Sequence, residues 1–329
     1  MVDPKSGATT TNAVIVVDRG RISAVGSNVA VPPNARVIDL GNVTLLPGLI
    51  DAHTHLLQNY RGGIGGDDPN MLLTVATMSP AARALLGVKM GREDLEAGIS
   101  TVRDVGNSGW NGDVALRDAI NAGWVQGPRI VASTRALSAA GGQFGELQPA
   151  AQHLVEQEYA VVSTPDDARR ATKQAFYDGA DVIKVIVNTG PRVVSLDEMR
   201  AIVDEAHRVG KRVAAHAIGD TATFIAAEAG VSSIEHAYTV PDTVLKLMAK
   251  KGIFLVATDY PAEFYVDGLG GPVTPEQRAQ RLRGAQAFAK SNAERLMRAT
   301  RMGVRVAFGS DEYYDAPGYT RGQASLLTL

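Results

Sequence analysis

The sequence predicts an α/β protein: a (β/α)8 barrel of the TIM type, preceded by an incomplete portion of a small N-terminal β-sandwich. Three observations carry this. Short β-rich runs cut by turn residues fill the first 48 positions. From Pro47-Gly48 onward, apolar strand-like runs alternate with helical periodicity. Those runs number eight, the count of a closed parallel barrel. With 329 residues, 45% hydrophobic and 21% charged, the chain suffices for one large and one small domain, expected at 1–48 and 49–329.

In the first portion the expected strands are 13–17, 21–25 and 36–40, cut by Asp18-Arg19-Gly20, Pro32-Pro33-Asn34 and Gly41-Asn42. The barrel strands are expected at 49–56, 101–105, 129–133, 182–187, 213–217, 233–237, 254–258 and 304–309. Helix starts between them carry a mechanism. Thr164-Pro165-Asp166-Asp167, Ser195 with Glu198, and Thr274-Pro275-Glu276-Gln277 each offer a cap oxygen and an acidic or amide partner. In the Ser195 helix, Leu196, Met199, Ile202, Val203 and Ala206 share one face, and Gly210 stands where a left-handed stop belongs. Gly62, Gly63, Gly65 and Gly66 mark a loop after the first strand that could serve as a lid. After the eighth strand only 312–329 remain, and residues 324–329 read as the apolar start of a further helix, so the chain is expected to be cut short there.

Composition narrows the function. Thirty-three basic against thirty-five acidic side chains leave a formal charge of −2, and aromatics are 5%, which argues against nucleic acid or an anionic membrane as partner. A small molecule fits better. With no cysteine, the chain has no disulfide and no thiolate ligand or nucleophile, so any metal must be held by His, carboxylate or modified Lys. No apolar run approaches the roughly 20 residues of a membrane helix, and residues 1–12 lack a basic stretch followed by an apolar one. The expected location is cytoplasmic, with a periplasmic or secreted place and a homo-oligomer left open.

The chemistry gathers at strand ends. His53 and His55 sit two apart at the end of the first strand, on one face and about 6.6 Å apart, near enough to reach one ion. Lys184 lies in Asp181-Val182-Ile183-Lys184-Val185-Ile186-Val187, a fully buried type of strand where a bare ammonium costs several kcal/mol. A carboxylate partner, Schiff-base chemistry, or carbamylation by carbon dioxide to an anionic ligand would each answer that cost. His216 and His236 end apolar strands, and Asp311 ends the last. Any one of these could be structural. Jointly, four histidines, a lysine and an aspartate fall at one rim, and only His207, on a helix, and His153, in a long loop, are left out.

At these residues the chain resembles the amidohydrolase superfamily, most specifically in Leu45-Leu46-Pro47-Gly48-Leu49-Ile50-Asp51-Ala52-His53-Thr54-His55. The resemblance covers nearly the whole chain. It implies a two-metal site in which His53, His55, carbamylated Lys184, His216, His236 and Asp311 are the ligands. Residues 197–207, followed by His216 and Ser233-Ile234-Glu235-His236, look like the imidazolonepropionase-related branch with its Xaa-Pro and other carboxypeptidase-like dipeptidases. Some relatives there open N-acyl amino acids such as the mycotoxin ochratoxin. Two positions depart from the pattern: Gly141-Gly142-Gln143 replaces a common Gly-Gly-His, and Ile218 stands where some dipeptidases have Tyr. The family also follows the eighth strand with a helix and strands that complete the small sandwich, so the resemblance implies that its C-terminal half is missing here.

The implied reaction is hydrolysis of an amide or peptide bond, in a dipeptide or N-acyl amino acid, by a hydroxide held between two divalent ions, Zn²⁺ first among them. Asp311 shuttles the proton and His236 flanks the oxyanion. Candidates for holding the substrate are Tyr60, Arg61, Arg135, Gln143, Asn188, Tyr238 and Tyr260. The competing readings are a cyclic amide hydrolase, an inactive metal-binding remnant, and a metal-free lysine Schiff-base lyase.

Overall fold

A computed structural model describes residues 1–58, 71–267, 274–313 and 318–328. Two compact units appear, Met1–Leu49 and Ile50–Leu329. In the first, β1 (Val14–Asp18) and β2 (Arg21–Gly26) form an antiparallel hairpin. Arg19 (φ 48°) and Gly20 (φ 74°) make the two-residue turn with both φ positive, the twist that lets strands continue side by side. The expected strand at 36–40 does not form. Its Val37 and Ile38 stand 72% and 67% exposed, and among the described residues no strand pairs with it; β propensity is realised only where a ladder partner and a buried face exist.

All eight expected barrel strands form, with ends shifted by one or two residues. They are β3 (Leu49–Thr54), β4 (Ile99–Asp104), β5 (Arg129–Ala132), β8 (Val182–Ile186), β11 (Arg212–Ala217), β12 (Ser233–His236), β13 (Phe254–Ala257) and β14 (Val306–Phe308). Four short strands join them: β6 (Ala136–Ser138), β7 (Tyr159–Val161), and the pair β9 (Asn188–Thr189) and β10 (Arg192–Val193). β6 continues the third barrel strand after a break at Thr134 (φ 62°), where the buried Asp113 carboxylate takes the Ser133 and Thr134 N–H groups, both at 2.8 Å. Of the barrel strands, a seven-stranded sheet runs β14-β13-β12-β11-β8-β6-β7 and a three-stranded sheet β3-β4-β5. Two backbone bonds join the two sheets, from Asp311 N–H to His53 C=O (2.7 Å) and from Asp181 N–H, just before β8, to Ala132 C=O (2.8 Å). The barrel is thereby closed.

Helices α1 (Met71–Thr77), α2 (Pro80–Glu96), α3 (Gly112–Asn121), α4 (Gln152–Glu158), α5 (Pro165–Tyr177), α6 (Leu196–Arg208), α7 (Asp220–Ala229), α8 (Asp242–Lys251), α9 (Ala262–Asp267), α10 (Pro275–Arg301) and α11 (Arg321–Leu326) complete the chain. Ser195 with Glu198 and Thr274 with Gln277 form reciprocal capping boxes, and Thr164 accepts from Asp167 N–H. Met199, Ile202, Val203 and Ala206 of α6 enter the main core with Ile183, Val185, Val213 and Ile234. Among the described residues no helix is long and apolar enough to cross a membrane.

α11 begins three residues earlier than the apolar run suggests, because Thr320 caps it and Arg321 buries its guanidinium. That group bonds Thr54 Oγ1 and Glu312 C=O, and approaches Asp94 of α2 at 3.5 Å without completing a hydrogen bond. Burial pushes the Asp94 carboxyl up to about 7. Between about pH 4 and 7 the unfolded chain releases this proton while the folded chain keeps it, so the group lowers stability as pH rises, fully so above 7. Asp94→Asn is therefore expected to gain on its parent by up to about 4 kcal/mol between pH 4 and 8 in urea denaturation. A pH-independent difference would contradict this.

Candidate metal centre and active site

Buried strand ends set this site. Parallel strands covered on both faces direct alternate side chains into the barrel, and their carboxyl ends share one rim. His53, His55, Lys184, His216, His236 and Asp311 line one cavity of about 330 Å³ there, with Met71, Asn107, Gln143, Ile218, Tyr238 and Tyr313 among its other walls. Asp311 Oδ1 lies 3.1 Å from His55 Nε2 and 3.3 Å from His53 Nε2. Ring centroids of His53 and His236 are 4.9 Å apart, those of His216 and His236 4.6 Å. Gly309 makes the approach possible, since a Cβ there would stand 2.7 Å from His53 Cβ.

Each of three imidazoles is fixed through Nδ1. His55 donates to Gly106 C=O (2.8 Å), His236 meets Thr258 Oγ1 (2.8 Å), and His53 meets Glu235 Oε2 (2.8 Å). For His53 and His55, Nε2 then faces Asp311. Glu235 is fully buried and receives both oxygens' worth of bonding from Arg103 (2.8 and 2.9 Å) and a further bond from Ser233 Oγ (2.5 Å). Burial alone would raise its carboxyl; Arg103 and His53 outweigh that and hold it well below the usual carboxylate range.

Lys184 is 2% exposed, and its amine meets His53 Nε2 at 3.4 Å. Among the described residues it forms no ion pair with a carboxylate. Burial pushes its ammonium down to about 8 against the pull of Glu235 and Asp311. Burial and then Lys184 hold His216 near about 3. Burial would raise Asp311, but His53 and His55 more than offset it and keep the group ionised. Strain accompanies this crowding: His236 (φ 67°), Ala237 (φ 47°) and Asp311 (φ 52°) are left-handed without being glycine, at a cost of about 1–3 kcal/mol each.

A cluster of His53, His55 and Asp311 donor atoms, all within 4.8 Å of one another, is what a divalent cation needs. The amidohydrolase family profile matches residues 44–324, which span every strand of that rim. The chain belongs to the amidohydrolase family. Members are typically metal-dependent and act on small molecules, and this amidohydrolase is a hydrolase of C–N bonds. It is similar to ochratoxinase of Aspergillus niger, 29% identical over 348 residues, 96% of this chain and 68% of that one. To imidazolonepropionase of Salinispora arenicola it is 28% identical over 261 residues, 77% of this chain and 64% of the other. A crystallised prolidase complexed with N-methylphosphonate-L-proline superposes with a TM-score of 0.81 at 27% identity, covering 99% and 83% of the two chains. A Xaa-Pro dipeptidase with methionine bound in its active site gives 0.73 at 28%, covering 92% and 75%.

Of the substrate candidates in this amidohydrolase, Gln143 and Tyr238 line the cavity. Tyr159 donates to Gln143 Oε1 (3.2 Å), and Gly142 lets the chain pass, since a Cβ there would meet the Tyr159 ring at 2.2 Å. Three others are drawn elsewhere by stronger local bonds. Asn188 braces Ile218 through both its backbone groups (3.0 and 3.1 Å), Tyr260 is buried against Phe264 and donates to Glu312 (3.2 Å), and Arg135 lies over Trp110 and donates to Glu156 C=O (2.8 Å). Tyr60 and Arg61, like the glycine cluster, lie outside the described residues. His207 and His153 are exposed and do not line the cavity, the latter on α4 and not in a loop. Sequence reading missed Glu235, although the argument that singled out Lys184, a charge inside a buried strand, applies equally to it.

Proposed function

We propose that this amidohydrolase cleaves the amide bond of a dipeptide or an N-acyl amino acid, using two divalent cations, Zn²⁺ first among them. The observation that carries the reading is the company of Lys184: a buried amine with no carboxylate partner among the described residues, set among four imidazoles and an ionised aspartate. Such a donor set fits cations. Carbamylation would turn the costly ammonium into an anionic ligand, and His53, His55, His216, His236 and Asp311 would supply the rest. When bound, the metals would acidify a water and polarise the scissile carbonyl.

The chain's own groups do the remaining work. Asp311, held by His53 and His55, accepts the proton of the attacking water at a carboxylate oxygen and returns it to the leaving nitrogen. Its left-handed backbone aims that carboxylate at the cavity. His236 flanks the oxygen that gains charge, and its tie to Thr258 keeps the ring from turning away. Gln143, with its oxygen engaged by Tyr159, keeps its amide N–H groups as donors to offer a substrate, and Tyr238 forms a wall.

Support for the bond type comes from the peptidase-like relatives, which include a prolidase, a Xaa-Pro dipeptidase and ochratoxinase. A panel of dipeptides and N-acyl amino acids, phenylalanine conjugates included, tests it alongside elemental analysis. Expected are two equivalents of metal, loss of hydrolysis on chelation and recovery with Zn²⁺. Activity surviving chelation, with borohydride trapping at Lys184, would transfer the chemistry to a Schiff base; bound zinc with no turnover on any panel member would make the protein a metal-binding remnant.

A further inference from the structure

His236 is held at two points by the end of one strand, and the second point is a buried arginine from a distant helix. Thr258, just after β13, bonds the imidazole Nδ1 at 2.8 Å. Asp259, the next residue, bonds Arg295 Nη2 at 2.6 Å, and Arg295 Nη1 donates to the His236 carbonyl. Ring and backbone of His236 are therefore tied to consecutive residues of one strand end. We propose that the Arg295–Asp259 pair is a positioning device that locks the left-handed turn at His236 and so keeps its imidazole in the metal-binding cluster; the inference rests on the metal-dependent reading above.

Several observations lead there. His236 and Ala237 are consecutive non-glycine residues with positive φ, a conformation that persists only where the surroundings over-determine it. Besides Arg295, the turn has the Ala237 N–H to Glu235 C=O bond at 2.9 Å. Arg295 is 1% exposed, a costly place for a guanidinium. Its Nε and Asp259 Oδ1 have no hydrogen-bond partner among the described residues, so the pair is not saturated as a mere stabilising bridge would be. Its satisfied bonds run to the His236 carbonyl and to the carboxylate beside Thr258. The guanidinium also lies 5.4 Å from the ring centroid of Tyr238, a wall of the same cavity whose hydroxyl meets Thr258 Oγ1 at 3.0 Å. Arg298, one turn along α10, makes a control: it reaches Val240 C=O and Asp242, outside the cavity.

The test uses the full chain and the metal alone. Zn²⁺ affinity is measured by competition with a chromophoric chelator, and the cobalt-substituted protein is examined by visible absorption. Arg295→Met is expected to bind Zn²⁺ about 10–100-fold more weakly and to shift the cobalt bands, as outer partners of metal ligands do. Arg295→Lys should recover part of both, and Arg298→Met should change neither. Affinity within twofold of the parent and an unaltered cobalt spectrum in Arg295→Met overturn the proposal. Should that variant not fold, Asp259→Asn decides by the same two readouts, unchanged values again overturning it. A parent that takes up no metal removes the reading beneath and this inference with it, whereas a parent that binds metal beside an indifferent Arg295→Met removes the inference alone.

Discussion

Asp311→Asn is expected to fold, to bind metal, and to lose hydrolysis by about 10²–10⁴-fold, the range a positioned proton carrier contributes. An amide keeps an oxygen for the cluster, and it can still meet His53 and His55, now 3.3 and 3.1 Å from the carboxylate. What it cannot do is accept a proton from water and return it to nitrogen. The aspartate is suited to that exchange because neighbouring imidazoles keep it ionised despite its burial. Steady-state rates on the responsive panel substrate, beside metal content, separate the alternatives. Turnover within a few fold of the parent would take Asp311 out of its assigned role, and loss of metal would make it chiefly a ligand.

The largest expected effect on stability belongs to a pair behind the cavity. Arg83 of α2 and Glu158 at the end of α4 are 2% and 0% exposed and bond one another directly. Arg83 also donates to Leu57 C=O (3.1 Å) and to Asn107 C=O, and Glu158 accepts Gly109 N–H at 3.4 Å. Removing one partner strands the other charge in a dry interior, so Glu158→Ala should cost about 3–5 kcal/mol in urea denaturation. Because Asn107 lines the cavity in a left-handed conformation, its carbonyl held by Arg83, the damage should extend to turnover in the fraction that remains folded. A loss below about 1 kcal/mol would mean that water reaches the pair and screens it.

Much of the site is legible in the sequence. Burial of a whole strand can be read from an apolar run, and a charge within such a run is conspicuous, so Lys184 stood out by local pattern, whereas His53, His55, His216, His236 and Asp311 stood out only by falling jointly at strand ends. Their meeting in one cavity follows from the rule that parallel strands share a rim. Tyrosines, asparagines and arginines in loops have no comparable signature. Asn188, Tyr260 and Arg135 therefore went to neighbours that loop geometry brought near, while Gln143 and Tyr238 reached the cavity.

By itself, then, the sequence determined where the eight barrel strands and the helix caps form and that four histidines, a lysine and an aspartate gather at strand ends, because periodicity, turn residues and capping oxygens act over a few positions. Tertiary structure alone decided the partners. Glu235 stands 182 positions from the His53 it orients, and Arg295 stands 59 from the His236 whose carbonyl it holds. It also decided that residues 36–40 stay out of a sheet, for want of a pairing strand among the described residues. Hydrogen bonds of this kind exist only once the barrel has closed, and no short-range pattern in the chain encodes which distant group will be waiting.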